Sequence, residues 1–452
     1  MRRALLVTMV VGLAAGCGDG SHEVAVSLTH SAAAGLDPLA PEVGVVKVRF
    51  EVNGPGLHDD VFMDAPAGTD AVTFKGFPTT EDVNVRAMGL DAVGNVVAFG
   101  RADRVQVTED VSLQFPLRRN LAYITHQANA GQAHPERVIY LVDLSTRALV
   151  SKLQLPGTAP QARGISARGG DAILVTYEDG AEGRVAVISA DDNSIETFAL
   201  PRPQELTLGV AGQPIGVTVG GSRITFVDLD ARTVVEEFAR PVGGRVLDGV
   251  ISADGSRALV VVSASPGLVS IDLVNRTVDA LNVVPEPSGV ALGRDGRVAY
   301  VTSSSDGEVA AVDLDTGRAQ PLGNFARPVG QAAYADELDA VLALEADTGE
   351  GPGRTLGFIA PAAEALRVGE GVQTLAHASA IASDGVGRRA LVVAVGTSTE
   401  TAGLTLVETT ATTLPNGASA LYPVDPDDRF RSGTIEVSRR YQPADVAIVY
   451  GR

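Results

Sequence analysis

Residues 287–325 read PSGVALGRDGRVAYVTSSSDGEVAAVDLDTGRAQPLGNF, and this stretch decides the fold. Apolar runs at Val290–Gly293, Val298–Ser303 and Val309–Leu314, and a last one into Asn324-Phe325, alternate with turn signals. The signals are Arg294-Asp295-Gly296-Arg297, Ser304-Ser305-Asp306-Gly307-Glu308 and Asp315-Thr316-Gly317-Arg318. Alternating apolar residues bounded by Asp-Gly and Thr-Gly predict short strands joined as hairpins, here four in succession.

Copies of the unit recur. Its third run has relatives at Leu141-Val142-Asp143-Leu144, Val187-Ile188-Ser189, Phe226-Val227-Asp228-Leu229 and Ser270-Ile271-Asp272-Leu273, then at Ala311-Val312-Asp313-Leu314, Phe358-Ile359-Ala360 and Leu406-Val407-Glu408. The spacing runs from 39 residues (189 to 228) to 48 (360 to 408), the period of a four-stranded propeller blade. The turn signal recurs at Ala253-Asp254-Gly255, Ala335-Asp336-Glu337 and Ser383-Asp384-Gly385. Seven blades are expected across residues 119–452. Pro443-Ala444-Asp445-Val446-Ala447-Ile448-Val449 matches the first strand of the unit, and Leu121-Ala122-Tyr123-Ile124-Thr125 matches its second with no first strand before it. The expectation is that strand 443–450 completes the first blade and removes the open edge of the array.

The pattern P-x-G-V-A, DGR-x-A-Y-V-T, VDL-x-T-G-R in Pro287–Arg318 resembles the YVTN-type β-propeller repeat, related to lactonase-like and quinoprotein-like propellers. The resemblance implies a fold and leaves function open. Quinoprotein propellers dock blades and stack a cofactor with tryptophan, and this chain has none.

Residues 23–118 carry strand-like runs at Glu23–Thr29, Val45–Val52, Ala71–Phe74, Val83–Leu90, Val96–Phe99 and Val111–Leu117. Turns every ten residues or so predict a small antiparallel β-sandwich, similar to Ig-like or transthyretin-like domains and read as a spacer. The fold class is therefore all-β: a sandwich followed by a propeller.

Ahead of it stands Met1–Cys17, MRRALLVTMVVGLAAGC. Arg2 and Arg3 precede an apolar run too short to span a bilayer, and Ala14-Ala15-Gly16 precede Cys17, the one cysteine of the chain. This resembles the lipobox of bacterial lipoproteins. It implies a signal peptide over residues 1–16, lipid attachment at Cys17 and a tether over residues 17–22. The membrane contact would be through acyl chains alone. Gly18 after Cys17 favours the outer membrane of a bacterial envelope over the inner.

The 452 residues include 50 Gly and 24 Pro, consistent with many turns, and carry a formal charge of -19. Nucleic acid is excluded as a partner, since binding it needs a basic face that displaces phosphate counterions.

In a propeller the loops between second and third strands gather on one face. The candidate binding residues there are His126 and His134 in the first such loop, then Glu178, Asp179 and Glu182. Asp306 follows in the fifth, and Glu345, Asp347 and Glu350 in the sixth. Glu308 and Glu400 extend the acidic series. Acids from several loops suit a hard cation with oxygen ligands or a basic peptide, but no loop has the D-x-D-x-D spacing of a calcium loop. His126, His134 and His377 make a transition-metal site geometrically conceivable. Neither a catalytic set nor a metal set is assigned. G-x-S-x-G, Walker and dinucleotide motifs are absent from the sequence, and Asn275 is read as a turn residue, not a glycan acceptor.

The expected function is a lipid-anchored, non-catalytic envelope propeller. It would bind a protein, peptide or glycan on its loop face and need no cofactor. The alternative is a lactonase-like hydrolase with a channel site, using a divalent cation.

Overall fold

The computed structural model describes residues 8–12, 22–54, 57, 60–128, 137–325, 327–336, 339–347, 353, 355–360, 367–374, 377–394, 403–413, 419–423 and 441–450. The chain is all-β, with no helix among the described residues. It divides into two compact units: residues 1–120 with 190–192, and the remainder.

The first unit contains two sheets. One runs Thr8–Gly12, Ala71–Phe77, His22–Thr29, Val111–Pro116; the other runs Val61–Pro66, Lys47–Asn53, Thr80–Leu90, Val96–Val107, Arg118–Arg119. Val24, Val26, Val72, Phe74 and Phe115 of the first sheet pack with Val48, Phe50, Val85 and Ala98 of the second in one apolar core. The expected wholly antiparallel arrangement needs correction. His22–Thr29 pairs parallel with Val111–Pro116, and Thr8–Gly12, inside the expected signal peptide, pairs parallel with Ala71–Phe77 from Thr8↔Ala71 to Gly12↔Lys75. Val61–Pro66 is a strand that the pattern did not reveal. It lies at a sheet edge with Met63 and Ala65 buried on its inner face and Val61 packed against the same core. Its outward face carries Phe62, 59% exposed beneath the Arg49 guanidinium, and Asp64, which pairs with Lys47 at 2.8 Å and Arg49 at 2.6 Å.

Among the described residues the second unit holds seven four-stranded antiparallel sheets. Sheets two to seven each use four consecutive strands. Their inner strands are Pro160–Arg168, Leu206–Leu208, Val246–Ile251, Pro287–Leu292, Val329–Ala335 and Ala378–Ser383. Sheet one differs: Ala148–Gln154, Val138–Asp143 and Leu121–Ala128 take Tyr441–Ile448 as inner strand, with Ala122↔Ile448 through Thr125↔Asp445 in antiparallel register. Each inner strand touches the next, and Tyr441–Ile448 touches those of both sheets two and seven, so the ring is closed.

Burial follows the strand order. Second strands such as Arg257–Val262 are buried almost throughout, while outer strands such as Thr233–Ala239 face water. The apolar clusters lie between sheets: Val260, Val262 and Ile271 of sheet four pack on Val217, Val219 and Phe226 of sheet three. Tyr300 of sheet five stacks on Tyr334 of sheet six with ring centroids 5.4 Å apart and planes 5° from parallel.

Turn chemistry repeats with the strands. The aspartate ending the third strand accepts backbone N–H groups two and three residues on. Asp143 takes Ser145 and Thr146, Asp228 takes Asp230 and Ala231, and Asp272 takes Val274 and Asn275, all at 2.7–3.0 Å. The residue four places after such an aspartate is left-handed: Arg147, Arg232, Arg276 and Gly317 have φ of 54°, 56°, 55° and 72°, and Asn193 (φ 60°) holds the same place after Ser189.

Candidate functional site: the loop face and the ring interior

Four of the acids expected in loops lie in strand ends: Glu178 and Asp179 close Ala172–Asp179, Glu182 opens Glu182–Ser189 and Glu345 closes Ala340–Glu345, because the hairpin pairing runs to the edge of each turn. With Asp306 and Asp347 they are occupied in bracing the backbone around the loops. Asp179 Oδ1 accepts the backbone N–H groups of Thr158 at 2.9 Å and Ala159 at 2.7 Å. Those bonds, with the one from Ala159 foremost, hold its carboxyl below the ordinary range. Gly157 (φ 138°) makes room for it, since a Cβ there would stand 2.5 Å from Asp179 Oδ2. Glu178 pairs with Arg163 at 2.7 Å and Glu182 with Arg184 at 2.9 Å. Asp306 caps its own turn by accepting the Glu308 N–H at 3.0 Å.

In sheet six, Glu345 pairs with Arg327 at 2.5 Å, while Asp347 accepts the Gly353 N–H at 2.8 Å and meets His377 Nδ1 at 2.7 Å. Arg327 precedes the inner strand of sheet six and His377 that of sheet seven. So each pair ties the end of the second strand, or the residues just after it, to the segment entering an inner strand.

His126 is a correction. It was expected to open a loop, but the strand Leu121–Ala128 runs through it and the side chain is buried. Nδ1 donates to the Val138 carbonyl at 3.2 Å, and the ring lies 4.3 Å from that of Tyr140. Burial, partly offset by that hydrogen bond, lowers its pKa to about 4. It is therefore a neutral packing residue at pH 7. His134, Glu350, Glu400 and Cys17 lie outside the described residues. Among the described residues no group of three or more His, Cys, Asp or Glu side chains could hold a metal ion.

Sequence reasoning missed the ring interior. Side chain to backbone hydrogen bonds cross every junction between neighbouring inner strands. Asp445 bonds the Ile165 N–H, and Ser166 Oγ donates to Thr207 O at 2.5 Å. Glu205 accepts the Val246 N–H, and Asp248 Oδ2 accepts the Val290 N–H at 3.0 Å. Ser288 Oγ donates to Val329 O at 2.6 Å, Ser383 Oγ to Tyr334 O at 2.5 Å and Ser379 Oγ to Ala444 O at 3.4 Å. Gln331 Nε2 reaches past sheet five to Leu247 O at 3.0 Å.

Asp248 and Asp445 stand out. Both directly follow a bulge in the inner strand, the place taken by Gly164 in sheet two and Gly289 in sheet five. Both keep some accessible surface because they line the ring's interior, yet protein surrounds them and strips most of their hydration. That desolvation raises Asp248 to about 7 and Asp445 to about 6, against the backbone N–H groups that favour the carboxylates. Asp445 is close enough for its charge to push Asp248 further up. A signal existed in the sequence: Asp445 aligns with Gly289, so an acid replaces a glycine at one position of the repeat.

No family model and no curated protein matches the chain. Solved structures do. A protein from Lactobacillus plantarum matches with a TM-score of 0.53 and 13% identity, over 73% of this chain and 99% of that one. A Bacteroides uniformis protein, proposed to be a 6-phosphogluconolactonase, matches with a TM-score of 0.52 and 12% identity, over 73% and 99%. The fold shared with them is that of a β-propeller. At such identities the likeness concerns the path of the chain, not its chemistry. The propeller's inner strands carry the Asp248–Asp445 pair, and its loop bases carry the acid struts.

Proposed function

We propose that this propeller is a lipid-anchored, seven-bladed, non-catalytic component of a bacterial envelope that binds a protein, peptide or glycan on its loop face. The observation that carries the reading is the use of acids at the loop bases as struts: Asp179 to Thr158 and Ala159, Glu345 to Arg327, Asp347 to Gly353 and His377. A face whose backbone is fixed before contact loses little conformational freedom on binding, and rigidly mounted loops are where propellers and sandwiches carry recognition. Attachment would be through diacylated Cys17, with outer-membrane placement preferred. No helix among the described residues is long and apolar enough to cross a membrane.

The test is capture from crosslinked envelopes by the detergent-extracted full chain. Wild type is expected to retain one ligand that Asp347→Ala loses while keeping the same melting temperature. Equal capture by both would refute a loop-face site. Lipidation is read separately by mass spectrometry of the mature N-terminus. A diacylglycerol mass on a peptide beginning at Cys17 is expected, and an unmodified Cys17 overturns the anchor.

A hydrolase is the second reading, favoured by two carboxyls of raised pKa on different inner strands, an arrangement suited to general acid–base work. Turnover of a lactone panel that disappears in Asp248→Asn and Asp445→Asn would establish it over the binding reading.

A further inference from the structure

Tyr441–Ile448 closes the ring, and Asp445 is the side chain by which it grips sheet two. Asp445 Oδ1 accepts the Val446 N–H at 2.9 Å, and the carboxyl also takes the Ile165 N–H. Asp248 repeats the arrangement three sheets away, accepting the Gly249 N–H at 2.8 Å and the Val290 N–H at 3.0 Å. The other charges around the pair are committed elsewhere. On sheet two's inner strand, Arg163 pairs with Glu178 and Arg168 with Asp230 at 2.8 Å. On sheet one, His126 is buried and neutral. Next to Asp248, Glu205 bonds the Val246 N–H with Arg240 close by, and Arg257 lies 3.9 Å from Asp272. The inner strands of sheets five, six and seven carry no charge.

We propose that Asp248 and Asp445 form a proton-operated latch, in which protonated carboxyls hold Tyr441–Ile448 in the ring and ionised carboxyls release it. Two carboxylates in a poorly hydrated interior repel each other and lack the water that would stabilise them. Lifting the closing strand returns Asp445 to water, where it ionises at the ordinary value of about 3.9, and removes its charge from beside Asp248. Opening therefore releases protons, and the linkage relation makes it easier as pH rises, by at most about tenfold per pH unit for one group. The window lies between the value in water and Asp445's value in the ring, about 6. The Asp248 contribution extends it toward about 7. In an envelope protein this would make closure of the ring respond to external pH, a consequence that rests on the proposed location.

Native-state hydrogen exchange on the full chain measures this. After correction for intrinsic exchange rates, the opening constant of the Val446, Ala447 and Ile448 amides should rise at least tenfold from pH 4.5 to 6.5 and then level off. Amides of sheet three, such as Val217 and Phe226, should not follow. Asp445→Asn should abolish the rise. Should that variant fail to fold, Asp248→Asn gives an independent reading, because without the second carboxyl the rise should level off near pH 6 and not continue toward about 7. A pH-independent opening constant in wild type, or a rise that levels off at the same pH in Asp248→Asn as in wild type, would overturn the latch.

Discussion

Gly296 shows how much one position in the repeat constrains. Its φ is 68°, and its carbonyl accepts the Ala253 N–H from the preceding sheet at 3.2 Å. A Cβ there would sit 2.5 Å from that of Ala253. Gly296→Ala is expected to cost about 1 kcal/mol for the left-handed backbone and about 1–3 kcal/mol more for forcing two sheets apart. Gly317→Ala meets only the flexible end of Arg257, 3.0 Å away, so about 1 kcal/mol of backbone strain is expected alone. Chemical denaturation of the two variants should rank them in that order, and equal losses would show that the approach to Ala253 is not tight. The Asp-Gly and Thr-Gly signals were legible because such turns need left-handed residues whatever surrounds them. Arg147, Arg232 and Arg276 occupy the same conformation without glycine. That conformation is set by the flanking hydrogen bonds and leaves no mark in the residue type.

For whole strands, legibility followed the number of buried faces. The opening stretch predicted runs at 298–303 and 309–314, and the strands are Val298–Ser303 and Glu308–Asp313. Two-sided burial between neighbouring sheets makes those runs continuously apolar. Val61–Pro66 escaped notice because it is a short edge strand whose apolar run is broken by Asp64 and runs into the turn at Pro66-Ala67-Gly68. Asp248 and Asp445 were visible as residues but not as a site, since strand periodicity does not say which positions follow a bulge and turn into the ring. The closing strand brings a prediction of its own. It buries Val446, Ile448, Val449 and Tyr450, and at about 1.5–3 kcal/mol for each large side chain that burial rivals a domain's whole net stability of about 5–15 kcal/mol. Deleting residues 442–452 should abolish the cooperative melting transition of the propeller. An unchanged transition would mean that sheet one is stable with three strands.

Across the molecule, the acids divide into two classes that pull stability in opposite directions with pH. Asp64 is held down to about 2, chiefly by its hydrogen bond from Arg49. Asp313 lies below the ordinary range through the Thr316 N–H, and Asp272 lies there because bonds from Asn275 and Val274 outweigh its desolvation. For such depressed groups stability is present above the unfolded pKa and is lost as pH falls through the folded one. Asp248 and Asp445 are raised, so the folded state holds their protons more tightly, and their contribution fades as pH climbs from about 4 to about 7. His126, lowered to about 4, works the other way between about 4 and 6.5 and cancels part of that loss. With a net charge of -19 adding self-repulsion at high pH, maximum thermal stability is expected near pH 5 to 6. Melting curves should show Asp248→Asn raising stability at pH 8 and leaving it nearly unchanged at pH 4.5. A greater gain at pH 4.5 would reverse the assignment.

The wiring of sheet one also sets an order of assembly. Sheets two to five each draw their strands from an uninterrupted run of about forty residues, so each can be completed soon after its own segment is synthesised or crosses a membrane. Sheet one cannot: Leu121–Ala128 waits for Tyr441–Ile448, with more than 300 residues between them. Closing so long a loop costs only about 0.6 kcal/mol more for each doubling of length, so the delay is one of timing more than of energy. Until the last turns emerge, Leu121–Ala128 presents an open edge to whatever is nearby, which makes the interval before closure the period when the chain is most exposed to mispairing and to chaperones that guard strands.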